Sequence, residues 1–158
     1  GIVGTTEGER QSQFSEDDKS ELFERLQARY SEIDPDDIRK AIELYDKSRL
    51  RGCVLYAASE SDRLWSITNI QDFLIILINT NHLFYEKMMG PLKEANQESA
   101  LSAIELFISS LGWEEYTNFS TGQNSKIIEE YRSYVGLHLN RYLQEFELTD
   151  EFPHGADA

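Results

Sequence analysis

The stretch Phe73-Leu-Ile-Ile-Leu-Ile-Asn79-Thr-Asn-His-Leu-Phe-Tyr85 decides the fold. Its opening run, Phe73 to Ile78, is apolar at every position and far too short to span a bilayer. A continuous apolar run of that length predicts a strand covered on both faces. Upstream, Cys53-Val-Leu-Tyr-Ala-Ala58 and Leu64-Trp-Ser-Ile67 read as two further strands, with turn chemistry from Ser59 to Arg63 between them. Three strands joined by short turns are most simply antiparallel, and so small a sheet needs helices on at least one face.

The flanks supply those helices. Ser15 stands three residues before Asp18 as a cap, and Leu22, Leu26, Tyr30 and Ile33 follow at helical spacing. Asp34-Pro35 opens a second helix whose stripe is Ile38, Ala41, Ile42 and Tyr45, ending near Gly52. After the central strand, Asn81 is placed to cap a short helix over His82 to Met89, interrupted by Gly90-Pro91. Two long helices come last. One carries Leu101, Ile104, Phe107, Ile108 and Leu111 and ends at Gly112; the other starts at Ser125, with Ile128, Tyr131, Val135, Leu139, Tyr142 and Phe146 on one stripe. A second set on that last helix, Ile127, Tyr134 and His138, widens its apolar arc. Such a helix is either buried between layers or contributes to a subunit interface. The expected fold is α+β: a small three-stranded antiparallel sheet packed with about five helices, two of them long and C-terminal. One domain spans 15–148, between a flexible leader at 1–14 and a flexible tail at 149–158.

Charge narrows the partners. Fifteen Lys plus Arg against 29 Asp plus Glu leave a formal net charge of −14, a field that repels phosphate backbones and anionic lipid. Membrane and direct nucleic-acid contact are therefore not expected, and a protein partner or a homodimer is. Cys53 is the single cysteine, which excludes an intrachain disulfide and suits a buried small hydrophobe in a reducing, cytoplasmic setting.

No motif for chemistry emerges. The chain has no Gly-x-x-x-x-Gly-Lys phosphate loop, no Gly-x-Gly-x-x-Gly turn and no Gly-x-Ser-x-Gly elbow. His82, His138 and His154 are scattered; His82 and Glu86 share helical spacing, the one pair on which a metal site or a small hydrolase would rest. No catalytic, cofactor or metal residue is assigned. The candidate motif is Asn79, Asn81, His82, Phe84 and Tyr85, because polar groups at a strand-to-helix junction are where ligands bind. Its structural reading is an Asn cap, with Phe84 and Tyr85 anchoring the helix onto the sheet.

The run from Phe73 to Met88 resembles a motif in the C-terminal part of bacterial GHKL-type ATPases, relatives of gyrase, mismatch-repair and chaperone ATPases, where a hydrophobic strand ends in an Asn-x-x-His-Pro-Phe-Tyr-like sequence and enters a helix. The likeness extends from Asp34 to Glu147 and departs at Leu83, where the family pattern has Pro. The family's nucleotide pocket rests on an Asn-bearing helix, an Asp-x-Gly-x-Gly turn and a Gly-rich lid, and none of these occurs in the chain. The resemblance thus implies an accessory C-terminal domain, with ATP and Mg belonging to an upstream domain, and a role in self-association or partner contact; the residues that would make the contact, Ile127, Tyr134 and His138, come from the wide apolar arc of the last helix. The other reading, from the acidic charge, is a free-standing binding or inhibitor protein directed at a basic partner.

Overall fold

The computed structural model describes residues 14–48, 52–71, 73–119 and 123–145. The elements in chain order are α1 (Glu16–Arg29), α2 (Pro35–Ser48), β1 (Cys53–Ala57), β2 (Trp65–Ile70), β3 (Phe73–Asn79), a π-helical turn (Tyr85–Met89), α3 (Gly90–Glu94), α4 (Glu98–Phe119) and α5 (Gln123–Leu143). The chain is α+β, as its patterning predicts. Residues 1–13 and 149–158, expected as leader and tail, lie outside the described residues, as do Phe146 and His154. Phe14, placed with the leader by sequence, instead packs its ring against Phe73 and Tyr45 at centroid distances of 4.7 and 5.3 Å.

The helix starts behave as the sequence indicates. Ser15 Oγ accepts from the Asp18 N–H at 3.1 Å, and Asp34 Oδ1 accepts from the Asp36 N–H at 2.8 Å, each answering an amide the helix cannot pair internally. Lys19 of α1 reaches the buried Asp46 of α2 at 2.8 Å, tying the two helices together.

β3 is the central strand, in the order β1-β3-β2. Its alternate side chains divide the core. Phe73 and Ile75 join Leu22, Leu26, Ile38 and Ile42 beneath α1 and α2. Leu74, Ile76 and Ile78 join Trp65, Met89 and Ile108 beneath the later helices, with Val135 and Leu139 of α5 against them. Each such side chain, fully covered, contributes about 1.5–3 kcal/mol, so the most apolar strand takes the central position, with both faces covered.

The sheet is mixed rather than antiparallel throughout. β2 and β3 form an antiparallel hairpin with Ile70 opposite Phe73, and Gln71 takes a φ of 50° in its turn. β1 lies on the other side of β3 and runs parallel to it, Cys53 opposite Ile75. The expectation failed because β1 and β2 are joined by a segment that crosses the end of β3, not by a hairpin turn. What reads as turn chemistry at Ser59–Arg63 is that crossover.

Two expected helix stops are also absent. Gly112 lies inside α4, where a Cβ would sit 3.1 Å from Ile67 and 3.4 Å from Ile76. The glycine lets the helix approach the sheet instead of ending it. Gly90-Pro91 likewise does not interrupt the chain's helical path: the Gly90 N–H donates to Tyr85 O, and the wide turn leads into α3 with Pro91 in its first turn. There a proline lacks only an N–H with no helical partner.

Arg132 of α5 and Glu115 of α4 form a buried ion pair, Nε to Oε2 3.0 Å, with both side chains under a tenth exposed. The N–H does not point at the oxygen, so the contact is between charges rather than a directed hydrogen bond. Burial pushes the Glu115 carboxyl up against the pull of Arg132, and lowers Arg132 against the pull of Glu115. Removing one partner strands the other charge, so Arg132→Met alone is expected to cost about 3–5 kcal/mol, whereas Arg132→Met with Glu115→Leu returns most of it. Urea unfolding of the single and double variants checks this; an additive double variant would show that the pair is not coupled.

Candidate functional site

The candidate motif gathers at the carboxyl end of β3, and its first residue organises the rest. Asn79 is buried, and its carboxamide uses its full capacity. Oδ1 accepts from the Ser59 N–H at 2.9 Å and the Asn81 N–H at 3.0 Å. Nδ2 donates to Ser61 O at 2.9 Å and Arg63 O at 3.0 Å. Two donors on one side and two carbonyls on the other leave only one orientation of the amide. The crossover from β1 to β2 is thus held by the last side chain of the strand it passes. Backbone bonds from Asn79 N–H to Leu64 O and from Thr80 N–H to Ala57 O finish the two edges.

His82 is buried at the opening of the next helical segment. Its Nδ1 accepts from the Phe84 N–H at 3.1 Å, and Nε2 lies 2.9 Å from Gly136 O in α5. An N–H can only donate and a carbonyl can only accept, so the ring is the neutral Nε2–H tautomer. The Leu83 N–H donates to Asn140 Oδ1 at 3.2 Å, again from α5. The first turn is therefore capped by His82 and Asn140. Asn81, expected as the cap, instead donates from Nδ2 to Ser59 O at 3.3 Å. Phe84 and Tyr85 pack as partly buried residues on the core cluster containing Leu74, Ile76 and Ile78, the anchoring that the pattern suggests.

Gly136 completes the clamp. A Cβ there would lie 2.1 Å from Asp62 O, a backbone atom of the crossover. α5 rests directly on the crossover, and Arg63 Nε donates to Ser133 Oγ at 2.8 Å beside it. Neither Gly136 nor Asn140 carries a sequence signal as a site residue; their roles arise from α5 lying over a junction more than fifty residues earlier.

The stretch contains few reactive arrangements. Both ring nitrogens of His82 face backbone partners, which leaves it no lone pair for a substrate proton. A cavity of about 290 Å³ lies on the other side of the crossover, lined by Tyr30, Glu32, Ser59, Arg63, Trp65 and Asn79 among others, and His82 does not line it. Ser59 and Ser61 hydroxyls there accept backbone N–H groups of the crossover. Tyr56 donates to Glu105 at 2.7 Å, joining β1 to α4; burial raises both groups. Burial also pushes the Cys53 thiol up to about 12, far from the range of a reactive thiolate. Among the described residues, no group of three or more His, Cys, Asp or Glu is placed to hold a metal ion, and no helix is long and apolar enough to cross a membrane.

The interface candidates stand apart from this junction. Ile127, Tyr134 and His138 are exposed on α5, and Tyr131 and Tyr142, which by spacing share a stripe with Val135 and Leu139, join them outside. The inward line is Ile128, Arg132, Val135, Leu139 and Leu143. Comparison with protein-family models, with curated proteins and with solved structures finds no match to this chain.

Two outcomes follow. Asn79→Ala removes four part-buried hydrogen bonds at once, so its loss in urea unfolding is expected at about 2–4 kcal/mol, beyond that of an ordinary surface substitution. A loss below about 1 kcal/mol would contradict the clamp.

His82 gives a pH signature. Burial lowers its pKa, against the upward pull of its Gly136 contact and of Asp62 and Glu86. Above about pH 6.5 folded and unfolded chains are both neutral at this position. Below it the unfolded chain takes up the proton first, so stability falls as pH drops towards the lowered folded value, by at most about 1.4 kcal/mol per unit. The raised carboxyls Glu105 and Glu115 act in the opposite direction and are common to wild type and variant. The difference in stability between wild type and His82→Gln is therefore expected to shrink as pH falls below about 6.5; a difference independent of pH would contradict the neutral clamp.

Proposed function

We propose that this chain is a non-catalytic accessory domain of a GHKL-like ATPase that works through protein contact on its two C-terminal helices. The observation that carries this reading is the outer side of α5, where Ile127, Tyr131, Tyr134 and Tyr142 are 63, 59, 62 and 79% exposed. Single exposed apolar residues are ordinary, but a contiguous line of them marks a contact surface. α4, in the same layer, adds Leu106, Phe107 and Leu111. Tyrosine suits such a surface, offering a large apolar ring with a polar end that tolerates water before the partner arrives.

The ATPase connection rests on the resemblance of Phe73–Met88. The geometry gives that stretch a use suited to a coupling domain. His82 and Leu83 bond to Gly136 and Asn140, so a displacement of the strand-to-helix junction is passed directly to the helix that bears the contact surface. ATP and Mg belong, in this reading, to a separate domain of the parent protein.

Two measurements test the proposal. The reading frame before Gly1 is expected to encode Gly-rich ATPase motifs, and a start codon directly before Gly1 would contradict the ATPase connection. Sedimentation velocity is expected to show association that Tyr134→Glu abolishes without changing the far-UV circular dichroism spectrum, with Kd weakened at least about tenfold by burying a charge in an apolar contact. Equal sedimentation of the two proteins would contradict the use of this face.

A further inference from the structure

β3 is buried along its whole length except at Leu77. That gap opens on the cavity of about 290 Å³, on the face of the sheet that α1 and α2 otherwise cover. Ser66 stands directly opposite Leu77 across the β2–β3 ladder, so their side chains lie together on one face, and both line the cavity. Ala57, at the end of β1, completes an apolar floor. Tyr30 and Glu32, from the connection between α1 and α2, supply one wall, and Ser59 and Ser61 of the crossover supply another. The cavity thus lies at the carboxyl ends of the parallel strands β1 and β3, where the chain passes from one edge of the sheet to the other. Open sheets hold their ligands at such a place.

The polar groups around the floor are hydroxyls with bonding capacity left over. Ser59 Oγ and Ser61 Oγ each accept one backbone N–H of the crossover, which leaves each O–H free to donate. The Ser66 hydroxyl is partly buried and has no hydrogen-bond partner among the described residues. Burial pushes the Tyr30 phenol up, so it stays protonated and can donate as well as accept. Glu32 adds an acceptor-only carboxylate at the exposed rim. Arg63, the one cation among the lining residues, directs its Nε to Ser133 of α5.

The geometry points to a binding site in this cavity for a small, uncharged, hydroxyl-rich molecule, of the size of a single sugar ring. The site is independent of contact through α5. At about 30 Å³ per water the volume equals roughly ten waters, room for about a dozen non-hydrogen atoms. A sugar ring matches the lining group by group. Its C–H faces cover Leu77, Ala57 and the Tyr30 ring, and its hydroxyls exchange hydrogen bonds with the serines and the phenol. Adjacent hydroxyls donate to Glu32 in charge-assisted bonds. An apolar floor with a few convergent polar groups is the usual composition of a small-molecule site. Anions fit poorly, because the chain carries a net charge of −14 and the only lining guanidinium is engaged with α5. An organic cation would find one exposed carboxylate among O–H groups to which it has nothing to offer as an acceptor.

NMR titration with named probes tests the assignment: D-glucose, D-galactose, D-ribose and myo-inositol, against D-glucuronate and benzylamine. At least one of the uncharged probes is expected to move the Leu77 methyl and the Ser59, Ser61 and Ser66 amide signals along one saturable curve, with a Kd of about 10 mM or tighter. Signals of Tyr134 and Tyr142, on the outer side of α5, are expected to stay in place. Leu77→Phe, which fills the floor, is expected to abolish the saturable shift. Ser66→Ala, which removes one hydroxyl and keeps the fold by circular dichroism, is expected to weaken Kd at least about threefold, and it carries the test alone where Leu77→Phe unfolds. Three results overturn the assignment: no saturable shift with any uncharged probe up to about 0.1 M, a shift that Ser66→Ala leaves unchanged, or saturation by D-glucuronate or benzylamine alone.

Discussion

The carboxamide of Asn79 is the constraint on which the rest of the molecule depends. A mixed three-stranded sheet in the order β1-β3-β2 requires the chain leaving β1 to pass the end of β3 before entering β2. That passage leaves peptide groups at the strand end that no sheet ladder pairs. Asn79 answers four of them at once, two amides through Oδ1 and two carbonyls through Nδ2. A side chain with only acceptors or only donors would satisfy half of them and leave the other half at a cost of about 1–3 kcal/mol each. The last residue of an otherwise apolar strand is polar for that reason.

From this point the architecture spreads outward. The crossover held by Asn79 forms the floor on which α5 rests, close enough at Gly136 that no side chain fits. His82 then joins the helix following β3 to the same turn of α5. α5 is thereby fixed through its inward line, including the buried Arg132 that meets Glu115 of α4. Its outward line of tyrosines has no part in this work. The division explains how one helix can be wide in its apolar arc without being buried on all sides: the second arc faces outward.

Much of the fold is legible from local pattern. The double burial of Phe73–Ile78, the starts of α1 and α2 at Ser15 and Asp34, and the presence of two long helices at the end all follow from periodicity and capping chemistry. Strand order does not, because a crossover and a hairpin turn use the same small polar residues, and only the distant partner of Asn79 distinguishes them. The glycines mislead for a related reason. Gly112 reads as a stop and Gly136 carries no signal at all, yet each marks a place where a helix meets another element too closely for a Cβ. On α5, positions three and four apart from both faces include Tyr131 and Tyr142, so spacing alone could not assign them; the inward set turned instead on the polar Arg132 and on Gly136, which no hydrophobic pattern includes. At the candidate site, Asn79 and His82 were visible as unusual residues, while Asn140 became visible only once α5 was folded over them.

The candidate motif is, in its bonding, architecture: it holds the strand end, the crossover and α5 together. Native-state amide exchange followed by NMR addresses this most directly. The Ser59 and Asn81 N–H groups and the Asn79 side-chain amide are expected to be protected to within about tenfold of the amides at the centre of β3, because all open only when the strand end itself opens. Exchange of these groups at the rate of an unstructured loop, with β3 still protected, would contradict the account.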